Sequence, residues 1–444
     1  MHAQHSPHQG GRPHVCIMGM GYVGLTLAVA LAEAGWSVLG YEVRYDVCEA
    51  LNQRQPHFRE HGVPEALRRH LGRSLTITDT FPAELPPAVV ICVSTPVDGM
   101  THEPDLRQLG AAVTLVAERM SDDTLVIVRS TVPVGTSRSF VLPILQEKVE
   151  QQLLAFCPER TIQGKALEEL MTLPQIIGGV SEAAAIRARK LFEPLVSQMI
   201  NVSSLEAAEM VKLVCNAHTD LIYGFGNEVA LMAHVLGVDA YEVINAANLN
   251  YPRPDLSRPG FVGGSCLIKD PYLLIHSVQP HGYFPPMVAA ARTLNESVPQ
   301  KVGENVVAGL QALDRDLATC KIFISGFAYK GQPETDDLRG SAVEPILTYL
   351  RSFTPHITGH DFIVSPDRIA DLGVEPVSLE QGFQDADAVL ILNNHVNYQS
   401  QNIEQLVMRM KQPSVFFDVW GVFRKQLQTW PNLRYMRLSW MNES

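Results

Sequence analysis

The chain has no excess of positive charge. Its 35 Lys and Arg are outnumbered by 47 Asp and Glu, for a formal net charge of −12. A protein that grips nucleic acid normally presents a basic surface, so this balance argues against such a partner. It still allows an anionic small ligand, which local arginines and backbone amides bind whatever the global sign. Apolar runs long enough to cross a bilayer are also lacking. The start, MHAQHSPHQGGRPH, has no apolar signal core and reads as a loose tail. No CxxC pair occurs among the seven cysteines (16, 48, 92, 157, 215, 266 and 320), which are scattered and odd in number. That pattern suggests neither a disulfide framework nor a zinc site; it suits a reduced, cytoplasmic protein with no membrane partner. What is present is an ordinary globular composition, 46% hydrophobic and 18% charged over 444 residues, enough for two or three domains with full cores.

The segment HVCIMGMGYVGLTLAVALAEAGWSVLGYE covers residues 14–42. Residues 14–18 read as a buried strand, and Gly19, Gly21 and Gly24 follow in GxGxxG spacing. An alanine-rich helix then runs to about Ala34, Gly35 closes it, SVLGY is a second strand, and Glu42 stands at its end. Each part has a physical task. Gly19 makes the tight turn, Gly21 lets a pyrophosphate approach the backbone, and Gly24 lets helix and strand pack closely. The helix N-terminus faces the phosphate charge. Glu42 hydrogen-bonds adenosine ribose hydroxyls and repels a 2′-phosphate, so the expected cofactor is NAD rather than NADP.

The α/β rhythm continues. AVVICVSTP (88–96) and TLVIVRSTVPVGT (124–136) are near-continuous apolar runs ending in small polar residues, as buried parallel strands read. Ligand loops lie at the carboxyl ends of such strands, which puts Thr95, Ser130 and Thr131 on the cofactor side. LLAFCPER (153–160) reads as a further strand that delivers Glu159 and Arg160. Residues 204–248 are helical by pattern, and Glu209, Lys212, Asn216 and Asp220 fall on one face of that helix. Such a stripe is either a solvated face or a polar seam in apolar surroundings. In the second case a lysine supplies positive charge to an oxyanion.

PGFVGGSCLIKDPY (259–272) sets one thiol, Cys266, in a bare backbone, with Lys269 and Asp270 close behind. Pro259, Gly260, Gly263 and Gly264 argue against a regular helix or strand there, and small residues let a ligand come near the main chain. After a helical stretch near 285–312, the strand pattern restarts with KIFISGFAYK (321–330) and continues through HITGHD, ADAVLILNN and SVFFDVW. This second doubly wound unit has no GxGxxG in its first turn, so its ligand is expected to differ from the first unit's dinucleotide. Lys330 and Arg339, both in the polar loop YKGQPETDDLRGS (329–341), are candidate anion contacts or plain surface charge.

In this order, GMGYVG, STVPVGT, CPERTIQGK, AEMVKLVCNA, GGSCLIKD and YKGQPETDDLRGS resemble the UDP-glucose/GDP-mannose dehydrogenases, from about residue 14 to about 425. Members of that family oxidise C6 of nucleotide sugars. The resemblance implies an α/β fold of two doubly wound Rossmann-like domains joined by a central helical dimerisation region. The expected division is a tail (1–13), an NAD-binding domain (14–203), a central helical domain (204–315) and a nucleotide-sugar-binding domain (316–444).

The resemblance also implies roles. Cys266 is the nucleophile, Lys212, Asn216 and Asp270 handle proton and oxyanion at C6, and Glu159 with Thr131 orients water. Gly19, Gly21, Tyr22, Val23, Gly24, Glu42, Thr95, Ser130, Thr131, Lys269 and Arg339 contact cofactor. Glu159, Arg160, Lys212, Asn216, Gly260, Gly263, Gly264 and Lys330 contact substrate, and Arg253 reaches a neighbouring subunit's substrate in a homodimer.

The chemistry this implies is a four-electron oxidation with two NAD consumed per sugar. A bare aldehyde gives up hydride poorly, so Cys266 adds to it and the second hydride leaves a thioester. The sugar stays open: CPERTIQGK resembles the N-acetylhexosamine branch and GGSCLIKD the UDP-glucose branch, with Ile268 and Gly340 departing from the latter's usual proline and glutamate. Two other readings compete. A β-hydroxyacid-type dehydrogenase stops after one hydride and needs neither Cys266 nor the second α/β unit. A non-catalytic NAD-binding regulator leaves the polar stripe without a task.

Overall fold

A computed structural model describes residues 14–252, 255–438 and 440–441. The expected tail and Arg253 lie outside the described residues. The chain divides into two compact units: one runs to Cys215 and includes Tyr272–Phe284, the other comprises Asn216–Pro271 and the chain from Pro285 onward. Among the described residues no helix is long and apolar enough to cross a membrane.

The first unit is built on a sheet of β1 (Val15–Met18), β2 (Val38–Tyr41), β3 (Leu75–Thr78), β4 (Ala88–Ile91), β5 (Leu125–Val128), β6 (Leu153–Phe156), β7 (Gln175–Gly179) and β8 (Met199–Asn201). Their order is β3-β2-β1-β4-β5-β6-β7-β8, parallel throughout except between β6 and β7. Side chains alternate across the sheet. Val15 and Ile17 enter one apolar core, while Cys16 and Met18 enter the core on the opposite face. Burial on both faces is why these strands read as unbroken apolar runs. The helix Tyr22–Glu33 follows β1 directly. A Cβ on Gly24 would lie 1.8 Å from the Gly19 carbonyl oxygen, so helix and strand approach this closely only with glycine there. The segment Tyr272–Phe284 is tied into this unit by the Tyr272 ring stacked on His102, centroids 3.7 Å apart, and by Ser277 Oγ accepting from Val134 N at 2.8 Å.

The second unit carries β9 (Ile322–Ser325), β10 (Ile357–His360), β11 (Glu375–Pro376), β12 (Ala388–Ile391), β13 (Ser414–Asp418), β14 (Leu433–Arg437) and β15 (Trp440–Met441). The order is β11-β10-β9-β12-β13-β14-β15, parallel until the final antiparallel pair. Alternation recurs, with Ile322 and Ile324 on one core and Phe323 on the other. Two long helices dominate the middle of the chain, Leu205–Leu236 and Pro286–Gln311. The first has 32 residues, about 48 Å at 1.5 Å per residue, and the division between units falls inside it.

Candidate active site

In the first unit the cofactor side begins at Gly19, whose φ of +89° suits glycine and whose N–H donates to Tyr41 O at 2.8 Å. A Cβ there would meet Cys92 O at 2.8 Å, whereas around Gly21 nothing lies within 4 Å. Glu42 stands at the end of β2 and is buried. It accepts from Met20 N at 2.8 Å and Arg44 N at 3.0 Å, which leaves lone pairs for further donors. An open approach over Gly21 beside a buried acid fits a dinucleotide. Tyr22 and Val23 begin the helix half-buried, and the Tyr22 hydroxyl donates to Glu60. Thr95 and Ser130 spend their hydroxyls on tying β4 to β5, donating to Thr131 O (2.5 Å) and Val93 O (2.7 Å).

Glu159 follows β6 and is 8% exposed. Arg129, at the end of β5, donates to it at 2.5 Å, and the Arg160 and Thr161 amides donate to its other oxygen. Burial pushes this carboxyl up. The Arg129 cation, the Thr161 amide and the nearby charge of Lys212 outweigh burial and hold it below the ordinary carboxylate value. Arg160 itself donates to Pro174 O at 2.6 Å. Arg129 was missed by sequence reasoning; its signal was one charge inside TLVIVRST, read there as the polar end of a strand.

The polar stripe of the long helix is buried rather than solvated. Glu209, Lys212 and Asp220 are 0%, 7% and 1% exposed, and Asn216 is half-buried. Its ends are clamps. Glu209 accepts from Gly135 N (2.5 Å) and Ser137 N (2.7 Å), which pins the loop that carries Thr131. Burial raises the Glu209 carboxyl above its usual range, against those donors. Asp220 pairs with the buried Arg292 at 2.6 Å and accepts from Asn295 at 2.9 Å. Between the clamps, Lys212 and Asn216 sit one turn apart on the same face. Lys212 has no ion-pair or hydrogen-bond partner among the described residues, so its charge is left for use.

In the second unit, Cys266 lies in a single helical turn, Gly264–Leu267, and is exposed. The glycines and proline around it predicted no regular helix. The turn forms because Gly264, at φ +84°, redirects the chain into it, and it ends after four residues. The next helix starts at Asp270, which is fully buried. Asp270 Oδ2 accepts from Asn216 Nδ2 at 2.5 Å. Its Oδ1 lies 3.1 Å from Lys269 Nζ, yet no donor is aligned on that oxygen among the described residues.

Each glycine here also has a packing reason. A Cβ on Gly260 would enter the Trp420 ring, at 2.3 Å; on Gly263 it would meet Gly340 O at 2.5 Å; on Gly264, the Tyr329 ring at 2.9 Å. Gly264 N donates to Arg339 O at 3.1 Å, so the Cys266 turn docks on the loop that carries Arg339 and Gly340. The two departures noted in the sequence, Ile268 and Gly340, touch: a Cβ on Gly340 would lie 2.8 Å from Ile268 Cδ1. Arg339 is clamped by Asp337 and is also within electrostatic reach of Cys266. Lys330 Nζ lies 5.4 Å from the Tyr329 ring centre.

Comparison with known proteins extends this reading. Three profiles of the UDP-glucose/GDP-mannose dehydrogenase family match in order: the NAD binding domain over residues 13–196, the central domain over 206–297 and the UDP binding domain over 323–425. A UDP-N-acetyl-D-mannosamine dehydrogenase of Pyrococcus horikoshii is 34% identical over 89% of this chain and 93% of its own. The solved UDP-D-ManNAc dehydrogenase structure from that organism superposes with TM-score 0.86 at 31% identity, covering 96% of this chain and 99% of the other. A UDP-glucose dehydrogenase structure from Pyrobaculum islandicum gives TM-score 0.83 at 27% identity, covering 98% and 100%. Fold, cofactor turn and matches together define an NAD-dependent oxidoreductase with a separate nucleotide-binding unit. The chain belongs to the UDP-glucose/GDP-mannose dehydrogenase family.

Proposed function

We propose that the protein oxidises C6 of a UDP-N-acetylhexosamine, UDP-N-acetyl-D-mannosamine first, to the carboxylic acid. The observation that carries the reading is Cys266, an exposed thiol on a one-turn helix. It stands four residues before a buried Asp270 that is bonded to Asn216. The names of the relatives favour the N-acetylmannosamine sugar. UDP-glucose is the second candidate, on GGSCLIKD and the Pyrobaculum structure.

NAD, when bound, accepts a hydride in each of two steps. Gly19, Gly21, Gly24 and Glu42 hold it, with Tyr22, Val23, Thr95 and Ser130 shaping the turn. In the first step the C6 hydroxyl proton passes to a water held at Asp270 Oδ1, as the hydride leaves C6. The Lys212 cation and Asn216 stabilise the oxyanion. Cys266 sulfur then bonds to the aldehyde carbon as the carbonyl π bond breaks and the thiol proton passes to the oxygen, giving a tetrahedral thiohemiacetal. Loss of the second hydride from that carbon, with the hydroxyl proton passing to the water at Asp270, leaves a thioester. Water, oriented by Glu159 and Thr131, attacks the thioester carbon; the C–S bond breaks, and the acid and the thiol are released. Arg160, Lys330, Arg339 and Lys269 serve substrate and cofactor binding, with Arg253 contributing in a homodimer through the central helices. Large apolar side chains left open there, Val235 at 83%, Leu236 at 74% and Leu249 at 72% exposure, support that assembly.

The test is a panel of UDP-N-acetylmannosamine, UDP-N-acetylglucosamine, UDP-glucose and GDP-mannose with NAD, counting NADH per sugar consumed, beside Cys266→Ser. Two NADH on one sugar, and a variant that yields no acid, are expected. One NADH per sugar, or a fully active Cys266→Ser, returns the protein to the two-electron reading. No turnover with tight NAD binding favours the regulator.

A further inference from the structure

Glu60 belongs to no group that the proposed chemistry uses, yet it is 2% exposed. It sits just before the helix Val63–His70. Its Oε2 accepts from the Tyr22 hydroxyl and from Gly164 N at 2.6 Å, and its Oε1 accepts from Ala166 N at 2.9 Å. Among the described residues no cation lies within ion-pair distance of it. A buried carboxylate is costly unless its charge is answered, and here N–H and O–H donors alone answer it. Charge-assisted bonds of this kind are the stronger and more directional ones.

The donors come from two places that matter. Tyr22 is the first residue of the helix that opens at Gly21, where a pyrophosphate approaches. Gly164 and Ala166 close the segment that starts at Glu159. The rest of that segment is held by carboxylates as well: Glu159 takes the Arg160 and Thr161 amides, and Glu169 takes Ile162 N at 2.6 Å. Burial first, and then Glu60, push the Tyr22 phenol far above its ordinary range, so it stays a neutral donor; the charge of Glu159 adds to this.

We infer that Glu60 is a positioning residue: through Tyr22 on one side and Gly164 and Ala166 on the other, it fixes the Glu159 loop against the cofactor turn. The inference rests on the reading of Glu159 as the residue that orients the hydrolytic water. A small displacement of Glu159 slows release of the acid and leaves the two hydride steps intact.

Stopped-flow NADH formation with quenched intact-mass analysis tests it on the full-length protein with NAD and the sugar that turns over. In Glu60→Gln the oxygen pair becomes one acceptor and one donor, so at least one contact fails. The expected result is a burst of two NADH per active site at close to the wild-type rate, then a steady state slowed about 10- to 100-fold. The mass adduct should stay on Cys266, and KM for the sugar should fall together with kcat, so that kcat/KM stays close to the wild-type value. Glu60→Asp keeps the charge but shortens its reach; it gives the same phase pattern, about 3- to 10-fold, and decides the matter if Glu60→Gln does not fold. Glu159→Gln is the control and accumulates the adduct. If it does so while Glu60→Gln and Glu60→Asp slow burst and steady state alike, or change neither, the positioning role is overturned and the reading of Glu159 stands. If Glu159→Gln accumulates no adduct, that reading fails and takes the positioning role with it.

Discussion

The two sheets share one central frame and fill it differently. In each, a glycine with left-handed φ follows the first strand at once: Gly19 at +89° after β1, Gly326 at +100° after β9. Each donates to the last residue of the neighbouring strand, Gly19 to Tyr41 O at 2.8 Å and Gly326 to His360 O at 2.9 Å. Each has an acid directly after that strand, and the acid accepts from the residue beyond the glycine: Glu42 from Met20 N at 2.8 Å, Asp361 from Phe327 N at 2.7 Å. There the likeness ends. Glu42 takes one more amide, Arg44 N. Asp361 also takes Ala328 N, Ile363 N, Val364 N and Asn393 Nδ2. Gly19 and Gly326 are equally tight, a Cβ meeting Cys92 O at 2.8 Å on one and Asn393 N at 2.7 Å on the other; the difference lies two residues on, where Gly21 leaves open space and the second unit has the buried Ala328. One acid keeps acceptor capacity for a ribose; the other is consumed in holding a loop. A shared topology therefore sets where a ligand can lie, and a handful of donors decides whether one is admitted.

That contrast is open to breaking by paired substitutions. Asp361→Ala orphans several amides in its unit. At about 1–3 kcal/mol for each that stays buried, it should cost roughly 3–5 kcal/mol in chemical denaturation while NAD affinity is kept. Glu42→Ala should do the reverse. The loss of a charged hydrogen bond worth about 1.5–3 kcal/mol should weaken NAD roughly 10- to 100-fold in titration, with a smaller change in stability. If both variants behave alike, the two acids share one task and the contrast fails.

Buried carboxylates sharpen the comparison through pH. Arg129→Met leaves Glu159 buried without its cation, and the expected loss is about 3–5 kcal/mol at neutral pH. In the wild type Glu159 is held below its ordinary value. Its contribution is therefore present above the unfolded-state value and lost as pH falls through the folded one. The penalty of Arg129→Met should accordingly shrink in acid. Asp418 in the second unit is the opposite case, raised by burial against its donors Val422 N, Phe423 N and Tyr435 OH. Its contribution is present below the unfolded-state value and lost as pH rises through the folded one. Denaturation series on Glu159→Gln and Asp418→Asn from mildly acid to neutral pH should change the slope of stability in opposite senses; the same sense in both would contradict the two assignments.

How far the sequence reached depended on what lay on both sides of an element. β1, β4, β5, β9, β12 and β13 were legible because each is buried on two faces and so is apolar throughout. β3, with the alternating LTIT, and β11, only two residues long, carry no such signal. The glycine turn and Glu42 were legible because their spacing is local. The clamps were not: Glu209 meets amides 72 and 74 residues away, and Asp220 meets Arg292 across another 72, so a polar stripe was visible but not its burial. Arg129 and Glu60 stayed hidden for the same reason. Asp361 was unreadable as a counterpart of Glu42, because the second unit keeps Gly326 and Gly331 but has Ala328 at the middle position of the spacing and a long loop where the first unit begins its helix.

The most direct test is a calorimetric titration of NAD into the protein, alone and with saturating UDP. One NAD per chain in both cases, with NADP at least about tenfold weaker, is the result predicted by an open frame at Glu42 and a closed one at Asp361. Two NAD per chain, or UDP abolishing the NAD signal, would contradict it.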